Sequence, residues 1–123
     1  MKKVKGFTLI ELLFVLAIIA ILSATVVSVY RNYVKNAAIS ALKADTRNCI
    51  SFVASEIAEA SLTGSTPDFS SGYTYISKYT QSCIIETIDA NNEIYKCKCS
   101  GKGIINGIEC NATTNSTELT CND

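Results

Sequence analysis

Histidine and tryptophan are absent from this 123-residue chain, and proline occurs once, at Pro67. Without histidine, no Ser-His or Cys-His nucleophile pair, no imidazole metal ligand and no Cys-x-x-Cys-His haem attachment can be built. An excess of either charge is also missing. The 11 Lys and Arg balance 11 Asp and Glu, so there is no broad basic surface to make nucleic acid a partner. The local cluster Lys96, Lys98 and Lys102 alternates with cysteines and reads as a solvated strand face. No general base, activated nucleophile or ligand cluster stands out, and no nucleotide-binding motif occurs. The chain reads as a non-enzyme that needs no cofactor and no metal.

Charge is scarcest from Phe7 to Val29, where FTLIELLFVLAIIAILSATVVSV carries Glu11 alone. As a helix this stretch spans roughly 35 Å, enough to cross a bilayer. Lys2, Lys3 and Lys5 precede it with no acid among them, so the positive-inside rule keeps that end cytoplasmic and exports the residues beyond the span. A secretory signal peptide would use Ser23-Ala24-Thr25 as its small-residue cleavage site, but its apolar core is shorter and gains nothing from a carboxylate. A plain anchor meets the same objection, since an acid at the centre of a membrane helix costs about 2.5–3.5 kcal/mol and one nearer its end somewhat less.

The junction Lys5-Gly6-Phe7-Thr8-Leu9-Ile10-Glu11 continues through Leu12, Ala17-Ile18-Ile19, Ile21-Leu22, Tyr30 and Tyr33. It resembles the processing site of type IV prepilins and of the related type II secretion pseudopilins. The resemblance implies that residues 1–6 are a leader, removed after Gly6 by a prepilin peptidase that then methylates the new amino group of Phe7. Loss of three lysines would leave eight bases against eleven acids, a net charge of −3. The Phe7 amine is then a cation in an apolar setting, and in a bundle of parallel helices Glu11 of one subunit can neutralise Phe7 of its neighbour. Such a pair fixes register more than it adds stability. The implied partners are the chain itself as a helical homopolymer, the peptidase, an assembly platform and its motor ATPase, and the inner membrane before assembly. The implied location is a single-pass inner-membrane protein with a cytoplasmic N-terminus, then an extracellular pilus. Many family members have Gly where this chain has Ala20 and Pro where it has Ser28. That departure implies a straighter helix with a shorter melted segment or none, although Ser23, Thr25 and Ser28 can bond back to the preceding turn.

Beyond Val29 the pattern turns amphipathic. Tyr30, Val34, Ala37, Ala38, Ala41, Leu42, Cys49, Phe52, Val53, Ile57 and Ala60 recur at helical spacing, with Arg31, Lys35, Lys43, Arg47, Glu56 and Glu59 largely on other faces. Gly64 and Pro67 supply a stop. The expectation is one helix over 7–62, about 84 Å long at the standard rise. Residues 7–29 form its membrane and filament-core half, and 30–62 its amphipathic half. Residues 63–123 form a small Cys-rich β head. Its expected strands are 73–79, 82–88 and 93–100, the last two joined by the Asp89-Ala90-Asn91-Asn92 loop. Asn106-Gly107 signals a two-residue hairpin. The fold class is α+β, a long N-terminal helix on a small antiparallel sheet stapled by disulfides. The Tyr residues from Tyr73 to Tyr95 read as core and sheet surface.

Cys49, Cys83, Cys97, Cys99, Cys110 and Cys121 all fall on the exported side, where an even count in a small head argues for disulfides. Cys97-Lys98-Cys99 has too short a spacing for a typical zinc knuckle. Six cysteines allow fifteen pairings, and sequence does not choose among them. Cys49 is expected to staple head to helix. The family resemblance implies a closed C-terminal loop, with Cys121 joined to Cys110, Cys99 or Cys97. Asn111-Ala112-Thr113 and Asn115-Ser116-Thr117 fit the glycosylation acceptor pattern, the first with Glu109 two residues ahead. Such tripeptides also arise by chance, and residues 111–117 read as an exposed loop.

The leading expectation is a structural subunit of a type IV pilus. One alternative is a type II secretion pseudopilin, although Glu109, Glu118 and Asp123 are dispersed rather than gathered as in a pseudopilin calcium site. The other is a membrane-anchored exported binding module that never polymerises.

Overall fold

A computed structural model of the chain describes residue 3 and residues 5–123. Met1, Lys2 and Val4, part of the leader expected over 1–6, lie outside the described residues. The chain divides into two compact units, Met1–Val34 and Lys35–Asp123.

Helix α1 runs over Leu9–Thr63, without a break at Ala20 or Ser28. In the first unit the side chains from Leu9 to Tyr33 are exposed, as an apolar surface awaiting lipid or another helix is. Ser23, Thr25 and Ser28 donate their hydroxyls back to the Ile19, Leu22 and Thr25 carbonyls at 2.7, 2.9 and 3.1 Å. That hides their polarity within the helix. The helix ends where sequence places its stop. Gly64 takes φ +69° and the Ser65 N–H donates to the Ala60 carbonyl at 3.1 Å, a left-handed cap that satisfies an otherwise orphaned carbonyl.

In the second unit, α1 buries the stripe Ala38, Leu42, Cys49, Val53 and Ala60, joined by Ile39, Asp45 and Thr46. This is one helix face at three- and four-residue spacing. It packs on a four-stranded antiparallel sheet with neighbour order β1 (Thr80–Asp89), β2 (Ile94–Gly101), β3 (Glu109–Thr113) and β4 (Leu119–Cys121). Tyr95, Cys97 and Cys99 of β2, with Cys110 and Ala112 of β3, alternate inward and are buried. The Phe69 ring meets Tyr95 edge-on at 4.9 Å, a favoured aromatic geometry that brings the loop after α1 onto the core.

Three expectations are corrected. Residues 73–79 alternate like a strand but make only one isolated bridge, Tyr73 with Cys83. The competing force is a buried carboxylate. Asp45 on α1 accepts the Ser77 N–H at 2.9 Å and the Thr80 hydroxyl, which turns the segment before it can pair. Burial first, and then the Asp45 charge, push the Tyr73 phenol above its ordinary value. Asp45→Ala would leave the Ser77 N–H without its acceptor and the Thr80 hydroxyl with only the Ser77 hydroxyl at 3.4 Å, and is expected to cost roughly 2–3 kcal/mol, read as a lower denaturation midpoint. Asp45→Asn, which retains an acceptor, should cost less.

Asn106-Gly107 does not form a two-residue hairpin. Residues 102–108 link β2 to β3 through a short 3₁₀ turn at Gly103–Ile105. Asn106 sits at φ −58°, ψ 132°, Gly107 at φ +87°, and the Ile108 N–H donates to the Ile105 carbonyl at 3.1 Å. That is a type II turn, which needs positive φ only at its second central residue. Finally, Asn111 to Thr113 belong to β3 rather than to an exposed loop, and the Asn111 side-chain oxygen is buried without a hydrogen-bond partner. The Asp89 turn is as expected: its carboxylate accepts from the Asn92 amide and the Asn91 N–H, contacts that hold the Asp89 carboxyl below its ordinary range, the Asn92 side chain most of all.

Candidate functional site

The first site lies at the start of α1, where Lys5, Gly6, Phe7, Thr8 and Glu11 line a shallow cleft. Phe7 is 89% exposed. A Cβ added at Gly6 would meet nothing within 4 Å, so nothing within the described chain demands glycine there. A requirement for it would have to come from something that reads the chain from outside.

Thr8 is the residue before the first helical turn. Its N–H donates to Glu11 Oε2 at 3.0 Å, and the Glu11 N–H donates to Thr8 Oγ1 at 3.4 Å. This reciprocal capping box satisfies two of the donors a helix N-terminus leaves free. It gives Glu11 a use within its own chain that the sequence reading missed. The signal was present as Thr8-x-x-Glu11, the Ser/Thr-x-x-Glu spacing ahead of an apolar run. The carboxylate also lies where the partial positive charge of the helix end stabilises it.

The second site is built from sulfur. Disulfides join Cys49 to Cys97, Cys83 to Cys99 and Cys110 to Cys121, and no cysteine is free. Cys49 thus ties α1 to β2. The other four cysteines form a single rung across the sheet. Cys83 is opposite Cys99, Cys99 opposite Cys110, and Cys110 opposite Cys121. Cα separations across the two bonded pairs of the rung are 4.0 and 4.1 Å. Such a rung arises because inward-pointing residues recur every second position, and each of these cysteines falls on the face toward α1.

The opposite face of the sheet carries charged side chains alongside the exposed Ile84 and Ile88. Lys96 lies 4.0 Å from Glu86, and Lys98 lies 3.1 Å from Glu109. Two lysines of the local basic cluster are therefore matched by carboxylates on a solvated strand face, where such pairs add little stability. Asn115 lies in an exposed turn after β3, whereas Asn111 lies within the strand. Among the described residues, no group of three or more His, Cys, Asp or Glu is placed to hold a metal ion.

Comparison with known proteins bears on the first of these sites. Residues 1–27 match the family described as the prokaryotic N-terminal methylation motif. Over 40 residues the chain is 55% identical to the prepilin peptidase-dependent protein D of Escherichia coli (strain K12). That match covers 32% of this chain and 27% of the relative, so it spans about a quarter of the relative's length. No solved structure matches the chain.

Proposed function

We propose, from the premise that this is a type IV pilin-like chain of the pilin or pseudopilin kind, that it is a structural subunit of a type IV pilus. In this reading a prepilin peptidase removes residues 1–6 and the new amine of Phe7 is methylated. The subunit leaves the inner membrane to polymerise through residues 7–29. The observation that carries the reading is the methylation motif over residues 1–27, a stretch that includes Gly6, Phe7 and Glu11. The peptidase needs a scissile bond on the cytoplasmic side of the apolar stretch. The polymer needs a surface that exchanges lipid for helix with little change of solvent. It also needs a charge pair that sets the stagger of adjacent subunits. An unbroken α1 with an exposed apolar surface supports the second requirement.

The test is the intact mass of the chain from the sheared surface fraction of its native cells. The expected species lacks Met1 to Gly6, carries one added methyl group, and lacks the six hydrogens that three disulfides remove. A processed chain found only in membranes would replace the pilus reading with the pseudopilin one. A chain with Met1 intact would overturn both and leave a membrane-anchored exported module.

A further inference from the structure

Along the chain the cysteines run Cys49, Cys83, Cys97, Cys99, Cys110, Cys121. Of the three disulfides, only Cys110–Cys121 joins neighbours in that order. Cys49–Cys97 and Cys83–Cys99 interlace: Cys83 lies inside the loop closed by the first bond and its partner Cys99 lies outside it. We propose that this unit reaches its native pairing only through thiol–disulfide isomerisation on the exported side of the membrane, which makes an exported disulfide isomerase, beyond a thiol oxidase, an obligate partner. The proposal rests on the reading that the residues after the apolar stretch are exported.

An N-terminus held in the cytoplasm delivers Cys49 to the oxidising side first and Cys83 next. An oxidase acting in order of arrival closes Cys49–Cys83 before Cys97 is present. Folding does not supply the correction either: with Cys83 held by Cys49, Cys99 lacks the partner that stands opposite it on β1 in the finished sheet. Cys49, Cys97, Cys99 and Cys110 are fully buried in the finished unit, so a wrong bond must be exchanged before the core closes over it.

The exchange balances without an external oxidant. An isomerase thiolate attacks the Cys49 sulfur of a Cys49–Cys83 bond, forming a mixed disulfide and releasing Cys83, which takes up a proton. Cys97 gives up its proton and attacks the same Cys49 sulfur, closing Cys49–Cys97 and returning the isomerase thiolate. Cys83 and Cys99 then pass two electrons and two protons to the disulfide of a thiol oxidase, and their own bond forms.

The experiment expresses the full chain in cells with an intact exported thiol oxidase, with and without the exported isomerase. Free thiols are blocked by alkylation and the disulfides are mapped after tryptic digestion without reductant. Lys78, Lys96, Lys98 and Lys102 place Cys49, Cys83, Cys97 and Cys99 on four separate peptides. Without the isomerase, the expected result is loss of the Cys49–Cys97 and Cys83–Cys99 peptides and appearance of Cys49–Cys83. Cys110–Cys121, on one peptide, forms in both strains and serves as the internal control. A C49A/C97A variant leaves four cysteines whose native pairing is consecutive, and it should pair identically in both strains. Native pairing of the unaltered chain in both strains overturns the proposal alone, as does isomerase dependence that persists in the variant. Six free thiols in oxidase-competent cells overturn the export reading and the proposal with it.

Discussion

Glu11→Gln is expected to abolish surface filaments while leaving the chain helical, membrane-inserted and processed after Gly6. The observed capping box and the proposed charge pair between subunits both fall on this side chain, and the substitution separates them. In the capping box, Glu11 need only offer an oxygen to the Thr8 N–H, and a glutamine at that position serves as well. In the proposed filament it must offer a negative charge toward the Phe7 amine of an adjacent subunit, and an amide cannot. In an apolar bundle the loss is large, because a cation left without its partner carries its full desolvation cost. Glu11→Ala removes both roles and should add a frayed first turn, visible as faster amide hydrogen exchange over Leu9 to Leu12. The readout is the amount of processed chain in the sheared surface fraction relative to that in membranes. Wild-type filament yield from Glu11→Gln would reduce Glu11 to a helix cap and remove the charge pair from the mechanism.

Removing the bond between Cys49 and Cys97, with alanine at both positions, is expected to destabilise the Lys35–Asp123 unit more than removing either other disulfide. Its separation of 48 residues, against 16 and 11, restricts the unfolded chain most. The chain-entropy relation gives about 4 kcal/mol for it and about 3 kcal/mol for each of the others. A unit of this size has a total stability of roughly 4–13 kcal/mol, so the loss is a large share of it. Alanine is preferred to serine because Cys49 and Cys97 are fully buried and a hydroxyl there would lack a partner. Chemical denaturation of the full chain in detergent measures the order. A larger loss for the Cys83–Cys99 pair would show that contacts in the folded state, not chain entropy, set the ranking.

The N-terminal motif was legible because its signal is local. Three lysines, Gly6, Phe7 and a single acid in an apolar run are all read within a few residues of one another. The helix was legible for a related reason: its inward stripe from Ala38 to Ala60 repeats at a fixed period. What sequence concealed was set by contacts between distant positions. Asp45 carries no local signal of its burial. Its partners Ser77 and Thr80 lie 32 and 35 residues away, and they redirect a segment whose alternation spoke for a strand. The cysteine rung depends on strand register, which no spacing of the six cysteines reveals. β4 has three residues, too few for a pattern, and is held by pairing with β3. The capping box was a local signal overlooked because Glu11 already had an explanation.

The disulfide connections also determine how the Lys35–Asp123 unit can respond to tension. A pull applied ahead of Cys49 and beyond Cys121 passes directly from Cys49 to Cys97 and from Cys110 to Cys121. The only stretch between those bonds that can be drawn out is the one from Cys97 to Cys110. At about 3.5 Å per residue it yields roughly 45 Å, where the same span without sulfur bonds would yield about 250 Å. The line along which it gives way is also defined. α1, β1 and β2 are joined by disulfides into one piece, β3 and β4 into another, and no disulfide crosses the β2–β3 boundary, which is held by ladder hydrogen bonds, core packing and the Lys98–Glu109 pair. Under load the sheet opens at that seam, and it recloses with every sulfur still on its native partner.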